Sequence, residues 1–166
     1  MKTDEGLKEA FAGESQANRK YTAFSKKAET DGFPQVAKLF RAAAEAETVH
    51  ALNHLRVMKG VGPTLDNLKA ALEGEVYEHT KMYPEFIAAS ESEKRNDARQ
   101  SFHYANEVEK RHAGLYNKAI EAVKSGKDLP PLDIFVCPVC GNTFRGTPPD
   151  KCPICGASKD LFKRVT

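Results

Sequence analysis

Four long segments in the first 125 residues place apolar side chains at alternating spacings of three and four residues. This spacing puts the side chains on one face of an α-helix, and such a face is usually packed against other helices. The segments are also rich in Ala, Glu, Lys and Leu, which favour helix. The predicted helices span residues 3–31, 34–59, 64–90 and 93–125, and we expect a kink at Pro84 in the third. The sequence therefore predicts an all-α four-helix bundle over residues 1–126.

The last 41 residues differ from this helical body in composition. Residues 126–166 contain six of the nine prolines and all four cysteines. A module this short does not fold on apolar burial alone, so a bound metal is expected to stabilise it. We predict a linker at residues 127–133 and a metal-binding module at residues 134–166.

Composition and charge argue against several classes of function. The net charge of +2 provides no broad electrostatic field for nucleic acid or anionic lipid. No apolar run reaches the roughly 18 residues that a membrane span needs, and the N-terminal residues lack the apolar stretch of a secretory signal. Four cysteines within one short stretch are typical of metal binding in an intracellular protein. We therefore expect a cytoplasmic protein with no nucleic-acid or membrane partner.

All four predicted helices interrupt the apolar stripe with glutamate near mid-length, and two of these glutamates are followed by histidine three residues later. The stripe positions concerned are Glu14, Glu47, His50, Glu75, Glu78, Glu109 and His112. Residues three apart share a helix face, and a buried carboxylate costs several kcal/mol unless it is neutralised. Cations between the helices would neutralise these acids, and carboxylate and imidazole donors suit iron or manganese.

The same acids could instead be solvated groups on the helix surface, because charged helices are common and one Glu-x-x-His motif has little specificity. Two such motifs, with acids at matching depth on the other two helices, favour a metal site. Di-iron carboxylate bundles use this arrangement, with one Glu from each of two helices and Glu-x-x-His from each of the other two. We therefore expect a di-iron site.

The C-terminal cysteines form two Cys-x-x-Cys pairs, Cys137 with Cys140 and Cys152 with Cys155. This pattern is highly specific for a tetrahedral four-thiolate metal site. We expect the glycine after each pair to let backbone amides turn toward the sulfurs. The spacing alone does not distinguish a zinc ribbon from an iron site. Iron is favoured beside a di-iron bundle, because zinc has no redox chemistry.

Several segments resemble the rubrerythrin family, and the resemblance extends over nearly the whole chain, including the cysteine module. The segments are residues 12–17, 47–50, 74–79, 82–86 and 109–112. The resemblance implies a ferritin-like bundle followed by a rubredoxin-like module with 11 residues between its cysteine pairs. It also implies two iron ions in the bundle and one iron bound by the four cysteines.

The resemblance further implies a role for each ligand. Glu47 and Glu109 would bridge the irons, Glu14 and Glu75 would be terminal ligands, and His112 would bind the second iron. Glu78 would hold the first iron in the oxidised state and His50 would hold it in the reduced state, while Tyr21 and Tyr83 would hydrogen-bond to the carboxylates or act only as core aromatics. For His54, His79 and His103 we expect outer-sphere or surface positions.

The function implied by the resemblance is a peroxidase that protects against oxidative stress. Hydrogen peroxide would be reduced at the di-iron site, and the four-cysteine iron would return electrons one at a time. No Gly-rich nucleotide motif is present, so we expect free rubredoxin or a separate NAD(P)H-dependent reductase as the electron donor. The alternatives are a ferritin-like protein that oxidises and stores iron, and a zinc-ribbon scaffold for protein interactions.

The connector between the second and third helices is short, from about Lys59 to Thr64. Ferritin-like bundles have a long crossover at this point, which must travel about 39 Å along a 26-residue helix. Six residues reach at most about 20 Å. Either the body is a plain up-down bundle, or helices three and four pack onto another chain. We favour a domain-swapped homodimer, in which Glu14, Glu47 and His50 of one chain join Glu75, Glu78, Glu109 and His112 of the other.

Overall fold

The computed structural model describes residues 2–166, and the chain divides into two compact units at the connector after the second helix. The N-terminal unit ends at Gly62, and the C-terminal unit runs from Pro63 to Thr166. The boundary lies within the short connector between the second and third predicted helices.

The N-terminal unit is a hairpin of two helices, α1 (Thr3–Thr30) and α2 (Pro34–Val57). Gly32 has a φ of +82°, and the backbone N–H of Phe33 donates to the carbonyl of Ala28, which ends α1 in a Schellman-like turn. The most buried positions of α2 are alanines seven residues apart: Ala37, Ala44 and Ala51. Small side chains at this repeat let the two helices approach closely, and the Asn18 side-chain amide of α1 donates to the carbonyl of Ala44.

The apolar stripes that the sequence predicts to be buried are only partly covered within each unit. Four of their members, Phe24, Val36, Val57 and Phe86, are between 42% and 55% exposed. The prediction of burial is therefore wrong for these residues within one chain. Two packed helices cover only one side of each stripe, whereas a four-helix bundle would cover the stripe fully.

The C-terminal unit begins with a long helical stretch whose middle turn is wider than an α-helix. The stretch comprises α3 (Thr64–Tyr77), a π-helical turn (Glu78–Met82) and α4 (Tyr83–Ser92). The backbone N–H of Tyr83 donates to the carbonyl of Glu78, five residues earlier. This π-turn lies where the sequence predicts a kink at Pro84. Proline lacks an N–H, and its ring clashes with the carbonyl four residues earlier, so a wider turn relieves both problems.

Helix α5 (Asn96–Lys124) follows and leads into the cysteine module. The module has three short strands, β1 (Ile134–Val136), β2 (Thr143–Arg145) and β3 (Lys163–Val165), in the antiparallel order β2-β1-β3. A 3₁₀ turn spans Lys159–Leu161. The small core contains Cys137, Cys152 and a stacked pair of rings, Phe144 and Phe162, whose centroids are 5.0 Å apart.

The predicted fold class, long helices followed by a small four-cysteine module, is confirmed. The predicted domain boundaries at residues 126 and 133 stay predictions. Within residues 2–166, no helix combines the length and the apolar character that crossing a bilayer requires.

Candidate metal centres

Three clusters of possible metal ligands occur among residues 2–166, and in each cluster one donor atom per residue lies within 4.8 Å of the others. The N-terminal carboxylate cluster comprises Glu14, Glu47 and His50. The C-terminal carboxylate cluster comprises Glu75, Glu109 and His112. The cysteine cluster comprises Cys137, Cys140, Cys152 and Cys155. Each compact unit therefore holds one set of two glutamates and a histidine.

In the N-terminal carboxylate cluster, one helical turn of α2 brings His50 to Glu47. His50 Nδ1 lies 2.7 Å from Glu47 Oε2 and 4.0 Å from Glu14 Oε1, on α1. The His50 side chain is 53% exposed. This cluster is thus open to solvent on its imidazole side.

The C-terminal carboxylate cluster is less exposed. His112 Nδ1 lies 2.8 Å from Glu109 Oε2 and 3.5 Å from Glu75 Oε1. Glu75 Oε2 is buried and has no hydrogen-bond partner among the described residues. Burial, a hydrogen bond with Glu109 and the charges of Glu109 and Glu78 raise the pKa of Glu75 to about 8. A bound cation would stabilise a buried carboxylate oxygen that has no hydrogen-bond partner and lies beside another carboxylate.

Glu78 lies in the π-turn and belongs to neither carboxylate cluster, but it is close enough to interact with the C-terminal one. Burial and the charge of Glu109 raise the pKa of Glu78. Burial and the charge of Glu78 raise the pKa of Tyr83, and Glu109 and Glu75 add to this effect. Tyr83 is therefore near the acids, and its predicted hydrogen bond to a carboxylate stays a prediction.

Tyr116 is a neighbour of the C-terminal cluster that the sequence analysis did not single out. Burial raises its pKa, and the charges of Glu75 and Glu109 raise it further. The signal available in the sequence is its position four residues after His112, which puts both side chains on one face of α5.

The two units repeat one design with a single extra residue in the second copy. Tyr21 follows Glu14 by seven positions, whereas Tyr83 follows Glu75 by eight, and the π-turn accommodates the additional residue. Tyr21 contacts Phe24 and Phe40, with ring centroids 6.3 Å and 6.2 Å away. Tyr83 contacts Phe86 and Phe102, both at 6.3 Å. An aromatic trio thus accompanies each carboxylate cluster.

The cysteine cluster has the dimensions of a four-thiolate metal site. The sulfurs of Cys137 and Cys155 are 3.6 Å apart, and those of Cys140 and Cys152 are 3.5 Å apart. A tetrahedral site with metal–sulfur bonds of about 2.3 Å has sulfurs about 3.8 Å apart. The four thiols therefore fit a tetrahedral ion with little rearrangement.

Hydrogen bonds to Cys152 stabilise the thiolate form of this member of the cysteine cluster. Burial opposes ionisation of Cys152, but backbone amides of Cys155 and Ile154 and the Asn142 side chain outweigh it, and the pKa of Cys152 is lowered to about 6. The Asn142 side-chain nitrogen lies 3.7 Å from Cys152 Sγ, and Asn142 is fully buried. Gly141 and Gly156 have φ values of +84° and +76°, which confirms the predicted turn after each cysteine pair.

The cysteine module contacts α5 beside the C-terminal carboxylate cluster. His112 Nε2 lies 2.9 Å from Thr143 Oγ1 on β2, and the Thr143 hydroxyl donates to the carbonyl of Gly141 over 3.3 Å. A Cβ added to Gly141 would be 3.9 Å from Val108 Cγ1 on α5. Nothing in the sequence spacing singles out Thr143, because its partner is 31 residues away.

The structure therefore groups six of the seven predicted carboxylate and histidine ligands into two clusters and places the seventh, Glu78, near one of them. The other histidines, His54, His79 and His103, lie outside the three clusters. Four glutamates and two histidines fit the donor preferences of iron, and four clustered cysteines fit a tetrahedral thiolate-bound ion. The metal-binding role of each residue stays a prediction.

Comparisons with known proteins cover nearly the whole chain. The family model described as Rubrerythrin matches residues 5–120, and the model described as Rubrerythrin, rubredoxin-like domain matches residues 135–163. Rubrerythrin-2 of Clostridium acetobutylicum is 35% identical over 97% of this chain and 95% of its own length. Nigerythrin of Nitratidesulfovibrio vulgaris is 37% identical over 96% of this chain and 85% of its own length.

Solved structures of nigerythrin are also similar to this chain. The partially reduced state of nigerythrin matches with a TM-score of 0.60 and 33% identity, covering 99% of this chain and 87% of the nigerythrin chain. The fully reduced, all-ferrous state matches with a TM-score of 0.57 and 34% identity over the same shares. Matches that include both the helical body and the cysteine module show that the chain belongs to the rubrerythrin family, an oxidoreductase-type family whose di-iron and rubredoxin-like iron domains correspond to the two kinds of donor set.

Proposed function

We propose that the protein is a cytoplasmic peroxidase that reduces hydrogen peroxide to water as a defence against oxidative stress. The observation that carries the proposal is the presence, in one chain, of two carboxylate–histidine clusters and a four-cysteine cluster. Reduction of one peroxide to two waters takes two electrons and two protons. Two bound irons supply Lewis acidity and two electrons, and a four-cysteine iron suits delivery of single electrons.

The environments of the two histidines support different roles for them. The side chain of His50 is 53% exposed, whereas that of His112 is 26% exposed and has polar partners at both ring nitrogens. We assign His112 as a fixed ligand of the second iron and His50 as the ligand that the first iron exchanges with Glu78. Fe(III) prefers the anionic carboxylate of Glu78, and Fe(II) accepts a neutral imidazole.

The carboxylates complete the proposed site. Glu47 and Glu109 each approach the histidine of their own cluster within 2.8 Å, which suits them as bridging ligands at the centre of the site. Glu14 and Glu75 lie farther from the imidazoles and are assigned as terminal ligands. A group that can donate a proton in the reaction is close by, because the Tyr83 hydroxyl interacts with the acids of the C-terminal cluster.

A second copy of the chain is the proposed source of the missing half of each site. The connector between α2 and α3 consists of residues 58–63, and six residues reach about 20 Å. A crossover along the 24 residues of α2 would have to span about 36 Å. In a domain-swapped homodimer, the N-terminal unit of one chain pairs with the C-terminal unit of the other, and two complete sites result.

The uncovered apolar stripes support this dimer. Phe24, Val36 and Val57 of the N-terminal unit and Phe86 of the C-terminal unit are at least 42% exposed. These residues share their helix faces with the carboxylate clusters, so a surface that completes the metal site would also cover them. Burying a side chain of this size stabilises a protein by about 1.5–3 kcal/mol.

The electron donor is proposed to be a separate protein, either rubredoxin or an NAD(P)H-dependent reductase. Val139 lies between two of the clustered cysteines and is 55% exposed, which gives a donor protein an apolar contact close to the cysteine cluster. Small interfaces are typical of weak electron-transfer encounters.

The test is peroxide consumption by iron-loaded protein supplied with reduced rubredoxin. We expect wild-type protein to consume peroxide and Glu109→Gln to lose at least about 100-fold in rate, because even outer-sphere partners of metal ligands contribute 10–100-fold. The matched control is Glu73→Gln, an exposed glutamate on α3, which should retain wild-type activity.

Two outcomes would overturn the proposal in favour of the alternatives. Oxidation of added Fe(II) by oxygen with storage in a large assembly, and no peroxide turnover, would indicate an iron-storage protein. Zinc in every site of protein purified from its own host, with no visible absorption, would indicate a zinc-ribbon scaffold.

A further inference from the structure

The contact between the cysteine module and α5 involves one of the predicted iron ligands directly. His112 Nε2 lies 2.9 Å from Thr143 Oγ1, while His112 Nδ1 faces Glu109 and Glu75. Both residues belong to the C-terminal unit of one chain. The imidazole is therefore held between the carboxylates on one side and the module on the other.

The hydroxyl of Thr143 has a defined direction of hydrogen bonding. It donates its proton to the carbonyl of Gly141 over 3.3 Å, which leaves its oxygen free to accept from His112 Nε2–H. Nδ1 faces Glu109 Oε2 at 2.8 Å, a contact in which Nδ1 carries a proton while no metal is bound. A metal ion at Nδ1 would replace that proton and leave a single proton on Nε2, which the Thr143 oxygen is placed to accept. The Thr143 contact thus suits the form of His112 that binds a metal between these carboxylates.

We propose that Thr143 is a positioning residue that holds the ring of His112 for iron binding through the Nε2 contact and couples the cysteine module to the di-iron site through its own chain. Only the coupling between the two centres rests on the proposed function. The positioning itself is a property of the folded chain. Partners of this kind around metal-bound histidines contribute 10–100-fold to metal affinity or activity.

The same contacts form a short connection between the two centres. From Cys140 the connection follows the backbone to the carbonyl of Gly141, crosses one hydrogen bond to Thr143 Oγ1, and crosses a second to His112 Nε2. With iron bound by the four cysteines and by the carboxylate clusters, the connection would carry one electron, so that the four-cysteine iron would change from ferrous to ferric and one ferric ion of the di-iron site would become ferrous. No bond is formed or broken, and the reductant that restores the four-cysteine iron is the external donor protein.

The decisive comparison is between Thr143→Val and Thr143→Ser. Valine has nearly the shape of threonine but lacks the hydroxyl, and serine keeps the hydroxyl. A cavity of about 290 Å³ adjoins both His112 and Thr143, so small changes of shape at residue 143 have room. Thr147→Val, at an exposed threonine of the same module, is the matched control.

The first readout is the ¹H–¹⁵N NMR spectrum of histidine side chains in full-length protein with zinc in every site, where a metal at Nδ1 leaves the proton on Nε2. We expect the Nε2–H resonance of His112, assigned through His112→Gln, to be protected from exchange with water in wild type, Thr143→Ser and Thr147→Val. In Thr143→Val the resonance should be lost to exchange, because the acceptor is gone. This readout is independent of peroxide chemistry, so it tests the positioning even if the proposed function is wrong.

The second readout is anaerobic titration with Fe(II), together with the rate of electron transfer from the cysteine centre after a single oxidation by peroxide. We expect Thr143→Val to weaken Fe(II) binding and to slow electron transfer by about 10-fold each, and Thr143→Ser to restore both. Circular dichroism and the visible spectrum of the iron-loaded cysteine cluster report whether each variant is folded.

Two results would overturn the proposal. One is a Thr143→Val protein with wild-type protection of the Nε2–H proton, affinity and rate. The other is an equal loss in Thr143→Ser and Thr143→Val, because that would show that the hydroxyl is not the group responsible.

Discussion

Glu75 is the residue whose surroundings best suit a bound cation. One of its carboxylate oxygens is buried without a partner among the described residues, and the other is close to His112. Burial and the neighbouring Glu109 and Glu78 raise its pKa to about 8. Without a metal, the folded protein therefore holds a proton on Glu75 that an unfolded chain would release near pH 4.5.

This shift predicts how the stability of the metal-free protein depends on pH. The folded state binds the proton more tightly than the unfolded state, so the contribution of Glu75 to the free energy of unfolding falls as pH rises from about 4.5 through about 8. Glu75→Gln does not titrate and should remove this part of the decline. The measurement is urea unfolding in the presence of a chelator at pH 6 and pH 8.5. Parallel losses of stability in wild type and Glu75→Gln would contradict the prediction, and Glu73→Gln is the control.

Adding metal should reverse this loss of stability with rising pH, because Fe(II) or Zn(II) competes with protons for the same carboxylates. We expect the rise in melting temperature on adding Zn(II) to be larger at pH 8 than at pH 6 in wild type. The rise should be smaller at both pH values in Glu109→Gln. An equal rise in wild type and Glu109→Gln would mean that the ion binds elsewhere.

At the residue scale, the sequence best predicts contacts between residues that are regularly spaced along one helix. The i, i+3 spacing of Glu47 with His50 and of Glu109 with His112 predicts a shared face, and both pairs are in contact. Contacts between distant residues give no such signal. The Thr143–His112 contact joins two elements 31 residues apart, and no periodic pattern links them.

At the scale of secondary-structure elements, the π-turn before Pro84 is the feature that helix periodicity did not predict. The apolar spacing of Leu72, Met82 and Phe86 remains compatible with an ordinary helix, so only the proline indicates an irregularity. The turn adds one residue between Glu75 and Tyr83 and so preserves the same aromatic neighbour beside both carboxylate clusters.

Deleting Thr80, an exposed residue of the π-turn, tests this interpretation. The deletion restores the seven-residue spacing found between Glu14 and Tyr21. An ordinary α-helical turn then brings the ring of Pro84 against a backbone carbonyl, so we expect a loss of about 3 kcal/mol in stability. Combining the deletion with Pro84→Ala should recover most of the loss in urea unfolding. A deletion variant as stable as wild type would show that the π-turn does not accommodate the proline.

The cysteine module offers a second prediction at this scale, through the buried Asn142. Its side-chain amide lies 3.7 Å from Cys152 Sγ, and hydrogen bonds to sulfur favour the more negatively charged, reduced centre. Asn142→Leu keeps the branching and the number of side-chain heavy atoms and removes the donor. We expect the reduction potential of the cysteine centre to fall by about 40 mV, equivalent to about 1 kcal/mol for one electron. Spectroelectrochemistry measures it, and an unchanged or higher potential would contradict the assignment.

At the scale of the whole molecule, the division of the chain after Gly62 gives each unit one set of two glutamates and a histidine. The sequence predicted the helices and the short connector between them, and from these a dimer. It could not predict which side of each stripe a helix pair would cover, because apolar spacing marks a face without specifying its partner. Alanines 37, 44 and 51, rather than the larger stripe residues, are the buried positions of α2.

Mixing two inactive variants tests the proposed domain swap. Glu14→Ala damages the N-terminal unit, and Glu109→Ala damages the C-terminal unit. In a swapped heterodimer, one site receives both substitutions and the other receives neither. Refolding the two variants together should therefore restore about one quarter of the wild-type sites, since half of the dimers are mixed and each has one intact site. If each site formed within a single chain, the mixture would have no intact site and would stay inactive.

The most direct test of the peroxidase proposal is anaerobic rapid mixing of the fully reduced, iron-loaded protein with hydrogen peroxide, followed by visible absorption. The proposed function predicts that the di-iron site is oxidised first and that the cysteine centre follows as it returns electrons, with water as the product. A reduced protein in which neither centre responds to peroxide, while both sites contain iron, would contradict it.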